Sequence, residues 1–419
     1  MNLNYKKIGL IIGFMLLSAF IAYLIYSVFF QTSAPATTTT EPTPSDSGGL
    51  PSPDTGTGAG IVQPTPGGLP STGDTGTGAV IPPTSADSGA SSVARGGVTR
   101  TVTLNQNPSR GLALSTNQSD LVYYDDTNKK FYRVNGNGII TQISDKEFFN
   151  VDNVVWSPKQ EKAVIEYPDG ANIVYDFSTN KQVTLPRHWE DFDFAPSGNE
   201  IVSKSIGLDE DNRWLVITND DGTQARNIEP IGKNAAKVRS SWSPNNQSVA
   251  LFTESVDLDR QKLYFIGKNQ ENFKAATIEG RGLQHQWTPD GSNLIYSVYS
   301  SNDDLRPQLW ITNAQGESIG QNRRRLPLQT WADKCSIVSV DTMYCAVPRS
   351  LPEGAGLFPE LAKGTSDDIY KVNLKTGATN LVAIPDQNFS INNIVVPPGE
   401  DIIYFTDSLL NNIHSINLR

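Results

Sequence analysis

Four times in this chain an apolar run ends in an aromatic residue, skips one position and meets a proline. The copies are Trp156-Ser157-Pro158, Phe194-Ala195-Pro196, Trp242-Ser243-Pro244 and Trp287-Thr288-Pro289. A polar turn and a second apolar run follow each one, most fully where Asp290-Gly291-Ser292-Asn293 leads into Leu294-Ile295-Tyr296. Weaker copies are Val395-Val396-Pro397, Leu114 to Thr116 before Leu121-Val122-Tyr123, and Val338 to Val340 before Met343-Tyr344. The anchors then fall at 114, 156, 194, 242, 287, 338 and 395. The early intervals match the four-stranded propeller blade of about 40–45 residues, and the later ones carry insertions.

Each interval divides into short runs rich in β-branched and aromatic residues, separated by Asp, Asn and Gly turns. The second repeat reads as strands at Asn153–Trp156, Lys162–Tyr167, Ala171–Phe177 and Lys181–Leu185. The fourth reads Val238–Trp242, Ser248–Glu254, Lys262–Gly267 and Phe273–Ile278. The last repeat supplies only Ile391–Val396, Ile402–Thr406 and Ile413–Leu418 before the sequence ends at Arg419. A missing fourth strand would expose a sheet edge. Val98–Leu104, ahead of the first repeat, has the β-branched content to fill it and so close a ring. The expected fold is all-β: a seven-bladed propeller of four-stranded antiparallel blades over 98–419, preceded by a transmembrane helix and a disordered stalk. The aromatic-x-Pro turns resemble the WD40-like (PD40) repeat of TolB-type propellers. That resemblance implies binding of proteins or other ligands, or service as an accessory domain of a hydrolase.

The amino terminus sets the expected topology. Ile8–Phe30 carries no charge and is long enough to span a bilayer as a helix. Lys6 and Lys7 precede it, and no Lys or Arg occurs from Gln31 to Ala94. The positive-inside rule puts residues 1–30 as a cytoplasmic tip and signal-anchor, with all that follows outside the cell membrane. The alternative is secretion after signal cleavage near Ser33-Ala34-Pro35-Ala36. Residues 31–97 are rich in Thr, Pro, Ser and Gly and too poor in apolar side chains to fold alone. They contain a duplication, Gly48-Gly49-Leu50-Pro51-Ser52 and Gly67-Gly68-Leu69-Pro70-Ser71, and read as a spacer. Leu69-Pro70-Ser71-Thr72-Gly73 resembles a sortase signal but precedes a large domain, and is read as a product of stalk composition.

The net charge of −10 argues against nucleic acid as a partner. The chain's two cysteines and three histidines have no zinc spacing. No metal, cofactor or catalytic residue is assigned. No G-x-S-x-G nucleophile elbow occurs, and no residues remain for an added α/β domain, so the chain is expected not to be an enzyme. The alternative is an extracytoplasmic hydrolase or lyase acting on glycans or peptides at the ring centre, or a structural envelope component.

Cys335 and Cys345 flank one hairpin and are expected to form a disulfide outside the membrane. The loops joining second to third strands all emerge on one face. They carry Asp209, Asp211, Asp257, Asp259, Asp303, Asp304 and Asp367, an acidic rim for a cationic partner, although aspartate is also a common turn residue. The longest insertion, Arg349–Gly364, adds Leu357 and Phe358 to the same rim. The expected function is a membrane-tethered module binding a protein or envelope polymer.

Overall fold

The computed structural model describes residues 89–271 and 273–419, together with Leu16, Leu17, Ser18, Phe20 and Tyr23. The expected span Ile8–Phe30 and stalk therefore lie almost wholly outside the described residues. Among the described residues no helix is long and apolar enough to cross a membrane.

Seven sheets follow one another along the chain, each with four antiparallel strands. From the inside outward, blade 1 is Ser109–Leu114, Leu121–Asp125, Lys130–Val134 and Ile140–Gln142. Blade 4 is Val238–Ser240, Ser248–Ser255, Arg260–Gly267 and Ala276–Glu279. The other inner strands are Asn153–Trp156, Trp189–Phe194, Arg281–Trp287, Cys335–Ser339 and Ile391–Val395. Ile391–Val395 of blade 7 also touches Ser109–Leu114 of blade 1, so the ring closes.

Middle strands are covered on both faces and are correspondingly continuous in apolar content. Every residue of Leu121–Asp125 and of Ile402–Asp407 is buried. The core is divided rather than central. Seven apolar clusters each join one pair of neighbouring blades, the last linking Tyr123 and Val134 to Ile402 and Tyr404 across the closure. The aromatic residues of the repeat serve these seams. Trp156 Nε1 donates to the Gly111 carbonyl of the preceding blade at 2.6 Å, and Trp287 Nε1 donates to Ser241 Oγ at 2.8 Å.

The closing segment differs in one respect from the sequence expectation. Val98–Leu104 is two strands, not one. β1 (Gly97–Thr99) runs parallel to Thr379–Pro385 as a fifth strand on blade 6. β2 (Val102–Asn105) pairs antiparallel with Ile413–Asn417 and supplies the missing fourth strand of blade 7. The break arises because Arg100 N bonds to the Ser91 carbonyl, and Thr101 N to Asp386 Oδ1, on blade 6 before the chain steps across. Bonds to the ring begin upstream of Val98, with Ala94 N donating to the Asn417 carbonyl.

Candidate functional site

With four strands per blade, the loops from second to third strands and the connections from fourth strands to the next blade share one face. That loop face carries most of the molecule's unusual surface.

The aspartates of the expected rim are for the most part engaged. Asp257 pairs with Arg260 at 2.6 Å, Asp303 with Arg325 at 2.7 Å and Asp304 with Arg306 at 3.1 Å. Asp259 accepts from Ser301 N and Oγ, both at 2.7 Å, tying blade 4 to blade 5. These partners hold the Asp257 and Asp259 carboxyls below their ordinary range: the Arg260 hydrogen bond for the first, the Ser301 bonds for the second. Asp367 is wholly buried, 2.7 Å from Lys334 Nζ, and accepts Ile391 N at 2.6 Å. Burial raises its pKa, against the pull of Lys334. Asp209 and Asp211 stand at a short 3-10 turn, exposed, with no ion pair to their carboxylates among the described residues.

The insertion is fastened to blade 5. Gly354 N and Gly356 N donate to the carbonyls of Asp304 and Leu305. A Cβ on Gly356 would sit 2.5 Å from Tyr299 Cβ, so that contact requires glycine. Ala355 and Ala362 pack against Trp331 below. Leu357 and Phe358 are left 43% and 60% exposed. The far side of the loop, at Glu360 and Lys363, forms a cavity of about 210 Å³ with Gln284, Asp333, Lys334 and Asn392. A second cavity, about 450 Å³ and strongly polar, lies between the inner strands of blades 1, 2 and 7. Arg110, Asp152, Asn153, Asn392 and Asn393 line it, and Arg110 reaches Asp126 at 3.1 Å.

Sequence reasoning missed a set of apolar loop tips. Leu208 and Leu258 are 100% and 88% exposed, and Leu409 and Leu410 are 66% and 63% exposed. Each sits in a loop from second to third strand, as do Leu357 and Phe358. The available signal was a leucine beside aspartates where a turn would otherwise be polar, as in Asp257-Leu258-Asp259.

The inner and second strands also hold ionisable groups that are buried or half-buried. Lys204 is 4% exposed and lies 3.3 Å from both Glu190 and Asp191. Asp191 and Asp193 of blade 3 accept Ser240 N and Trp242 N of blade 4 at 2.9 and 2.7 Å. Burial pushes the Asp193 carboxyl up to about 7 and the His285 imidazole down to about 4.

The sulfurs of Cys335 and Cys345 lie at disulfide distance, with Cα atoms 4.0 Å apart on directly paired residues. His188, His285 and His414 sit in different blades. Among the described residues no group of three or more His, Cys, Asp or Glu is placed to hold a metal ion.

No family model matches the chain, and no curated protein matches its sequence. Solved structures match it in fold. An oligogalacturonate lyase in complex with manganese aligns with TM-score 0.53 and 15% identity, over 76% of this chain and 93% of that one. The β-propeller domain of Cps50 (Swd1) from Myceliophteria thermophila aligns with TM-score 0.52 and 10% identity, over 76% of this chain and 100% of that one. An oligogalacturonate lyase from Vibrio parahaemolyticus aligns at TM-score 0.47 and 11% identity, over 76% and 93%.

The first two likenesses agree with the propeller fold, whose seven blades the sheet topology gives; the WD40-like repeat family is not shown. They also correct the expectation that the chain is not an enzyme. That expectation rested on the lack of an added α/β domain, yet a lyase covered over 93% of its length by the ring alignment has little chain left for one.

Proposed function

We propose that this protein is held to the cell membrane by Ile8–Phe30 and works outside it, the loop face of its propeller docking a protein or envelope polymer. The observation that carries the reading is the clustering of exposed apolar tips on that face. Leu208, Leu258, Leu409 and Leu410 join Leu357, Phe358 and Leu361, all at least 43% exposed, whereas turns of the opposite face carry only Ile139 and Val340 among the described residues. Several large apolar side chains exposed on one face, each beside polar turn residues, favour an interaction surface there. Unpaired carboxylates at Asp209 and Asp211 favour a partner that is apolar and cationic. The test is photo-crosslinking in the native membrane from a reactive residue at position 258, with position 340 as the control. Adducts from 258 alone are expected. Equal labelling from both positions, or none from 258, sinks the proposal.

A second reading is favoured by the polar cavity at the ring centre together with the fold likeness to an oligogalacturonate lyase. In it, the amides of Asn153, Asn392 and Asn393 hydrogen-bond sugar hydroxyls, and Arg110 faces an acidic group. Incubation with acidic oligosaccharides, read by the absorbance of an unsaturated product, decides it. Turnover that Arg110→Ala abolishes supports this reading, and absence of product over a panel of uronides rejects it.

A further inference from the structure

A groove of about 340 Å³ opens on the flank of the ring between blades 3 and 4, away from the cavities of the ring centre. It exists because the outer strand of blade 4 is short. Ala276–Glu279 pairs only with Arg260 to Leu263, so Tyr264 to Gly267 has no fourth-strand partner. The floor is aromatic: Phe252 and Tyr264 stack across the strand pair with ring centroids 5.3 Å apart and planes at 25°. Tyr264 is fixed by its hydroxyl, which donates to Glu254 at 2.9 Å. Ile266 and Phe273 extend the apolar lining, and Glu229 and Glu271 stand exposed at its margins.

None of the lining residues is a lysine, arginine or histidine. The adjacent Lys268 is engaged elsewhere, 2.5 Å from Glu200 and over the Trp242 ring. The site therefore combines aromatic faces, apolar walls and two carboxylates without a compensating base. It extends from Ile231 and Asn234, on the connection between blades 3 and 4, to Gln270 and Phe273 in a loop of the opposite face. The opening therefore crosses the thickness of the ring and suits a length of chain.

We propose that this groove binds an extended segment of a partner polypeptide through one lysine or arginine side chain. The alkyl stem lies along Phe252, Tyr264 and Ile266, and the charge sits between Glu229 and Glu271. Aromatic faces attract a cation through their quadrupole, and the stem covers apolar surface while its head stays near water. The groove includes none of the exposed leucine and phenylalanine tips of the loop face, so its failure leaves the reading above untouched.

The test is calorimetric titration of the purified full-length protein with three probes. These are a capped pentapeptide with one central lysine, its norleucine counterpart, and butylammonium. The lysine peptide should bind about tenfold more tightly than either of the others. Glu229→Gln with Glu271→Gln should weaken it about tenfold; because Glu271 also accepts Asn269 N and Nδ2, Glu229→Gln alone is the variant that should weaken binding at an unchanged melting temperature. Norleucine binding as tightly as lysine removes the role of charge. Butylammonium binding as tightly as the peptide makes this a small-amine site instead. Unaltered affinity in the double variant, or no peptide binding at all, overturns the proposal.

Discussion

A left-handed backbone angle recurs at one slot in six of the seven blades. It falls at Gln118, Gln160, Gly198, Asn246, Gly291 and Glu400, with φ between 51° and 77°. Each N–H there closes a turn onto the carbonyl three residues earlier. The left-handed region costs a non-glycine residue about 1 kcal/mol. Gln118→Gly is thus expected to raise stability by about 0.5–1 kcal/mol in urea unfolding, and a lower midpoint would refute strain at this slot. Gly291→Ala should lower it, because a Cβ would meet Asn245 N at 2.6 Å. The slot was legible at Asp290-Gly291 but hidden at Gln118, Gln160 and Glu400, where tertiary packing overrides local preference. The settings of Asp193 and His285 were not legible at all, since only the ring brings Trp242 N to the first and Ser241 Oγ to the second. Their pH effects oppose each other. Asp193 keeps its proton up to about pH 7 when folded, but releases it near 4 when unfolded, so its contribution to stability falls as pH rises through that window. His285 stays neutral down to about pH 4 when folded, whereas the unfolded side chain protonates near 6.5, so its contribution falls as pH drops. Urea midpoints from pH 4 to 7 should therefore slope upward with pH in Asp193→Asn and downward in His285→Gln, relative to the parent. Parallel profiles in all three would show that neither group titrates with folding.

At the scale of elements, blade 6 combines features that were readable with others that were not. The hairpin of Cys335–Ser339 and Thr342–Pro348 places Cys335 opposite Cys345, as their separation and the apolar pattern imply. A short cross-linked loop stabilises chiefly by limiting the unfolded chain. Cys345→Ser is expected to cost about 2–3 kcal/mol under oxidising conditions and to make stability insensitive to reductant. A parent protein equally indifferent to reductant would show that the bond contributes nothing. The insertion that follows was recognisable from length alone. Its docking was not, because Gly356 meets Tyr299 and Leu305 only once blades 5 and 6 are side by side. The acidic loops were likewise visible, but their pairing was not: Asp303 finds Arg325 from the outer strand of its own blade, and Asp367 finds Lys334 from the connection into blade 6. Alternation along strands shows which side chains face inward, yet it carries no information about which loops become neighbours around a ring.

For the whole molecule, the count of seven follows from closure, and closure is made by the segment ahead of blade 1. β2 contributes Leu104, 8% exposed, to the cluster between blades 7 and 1 and covers the edge of Ile413–Asn417. β1 adds only a short parallel strand outside a blade already complete. The two strands therefore have unequal roles, which truncation separates. A chain beginning at Gly89 keeps both and should unfold in urea at the same midpoint as the full protein. One beginning at Arg100 loses β1 but retains β2 and should remain cooperative, with a loss of about 1 kcal/mol. One beginning at Asn107 loses the fourth strand of blade 7, uncovers an edge and opens part of one seam. It should lose about 3 kcal/mol or more and gain a tendency to associate through the bare edge. Gel filtration beside the unfolding curves reads both effects. If the Asn107 chain were as stable and monomeric as the Gly89 chain, the ring would be closed by inner-strand contacts alone. The exchange of β2 between the two ends of the chain would then be incidental to it. If instead the Arg100 chain failed as badly as the Asn107 chain, the clasp on blade 6 would be the true closure.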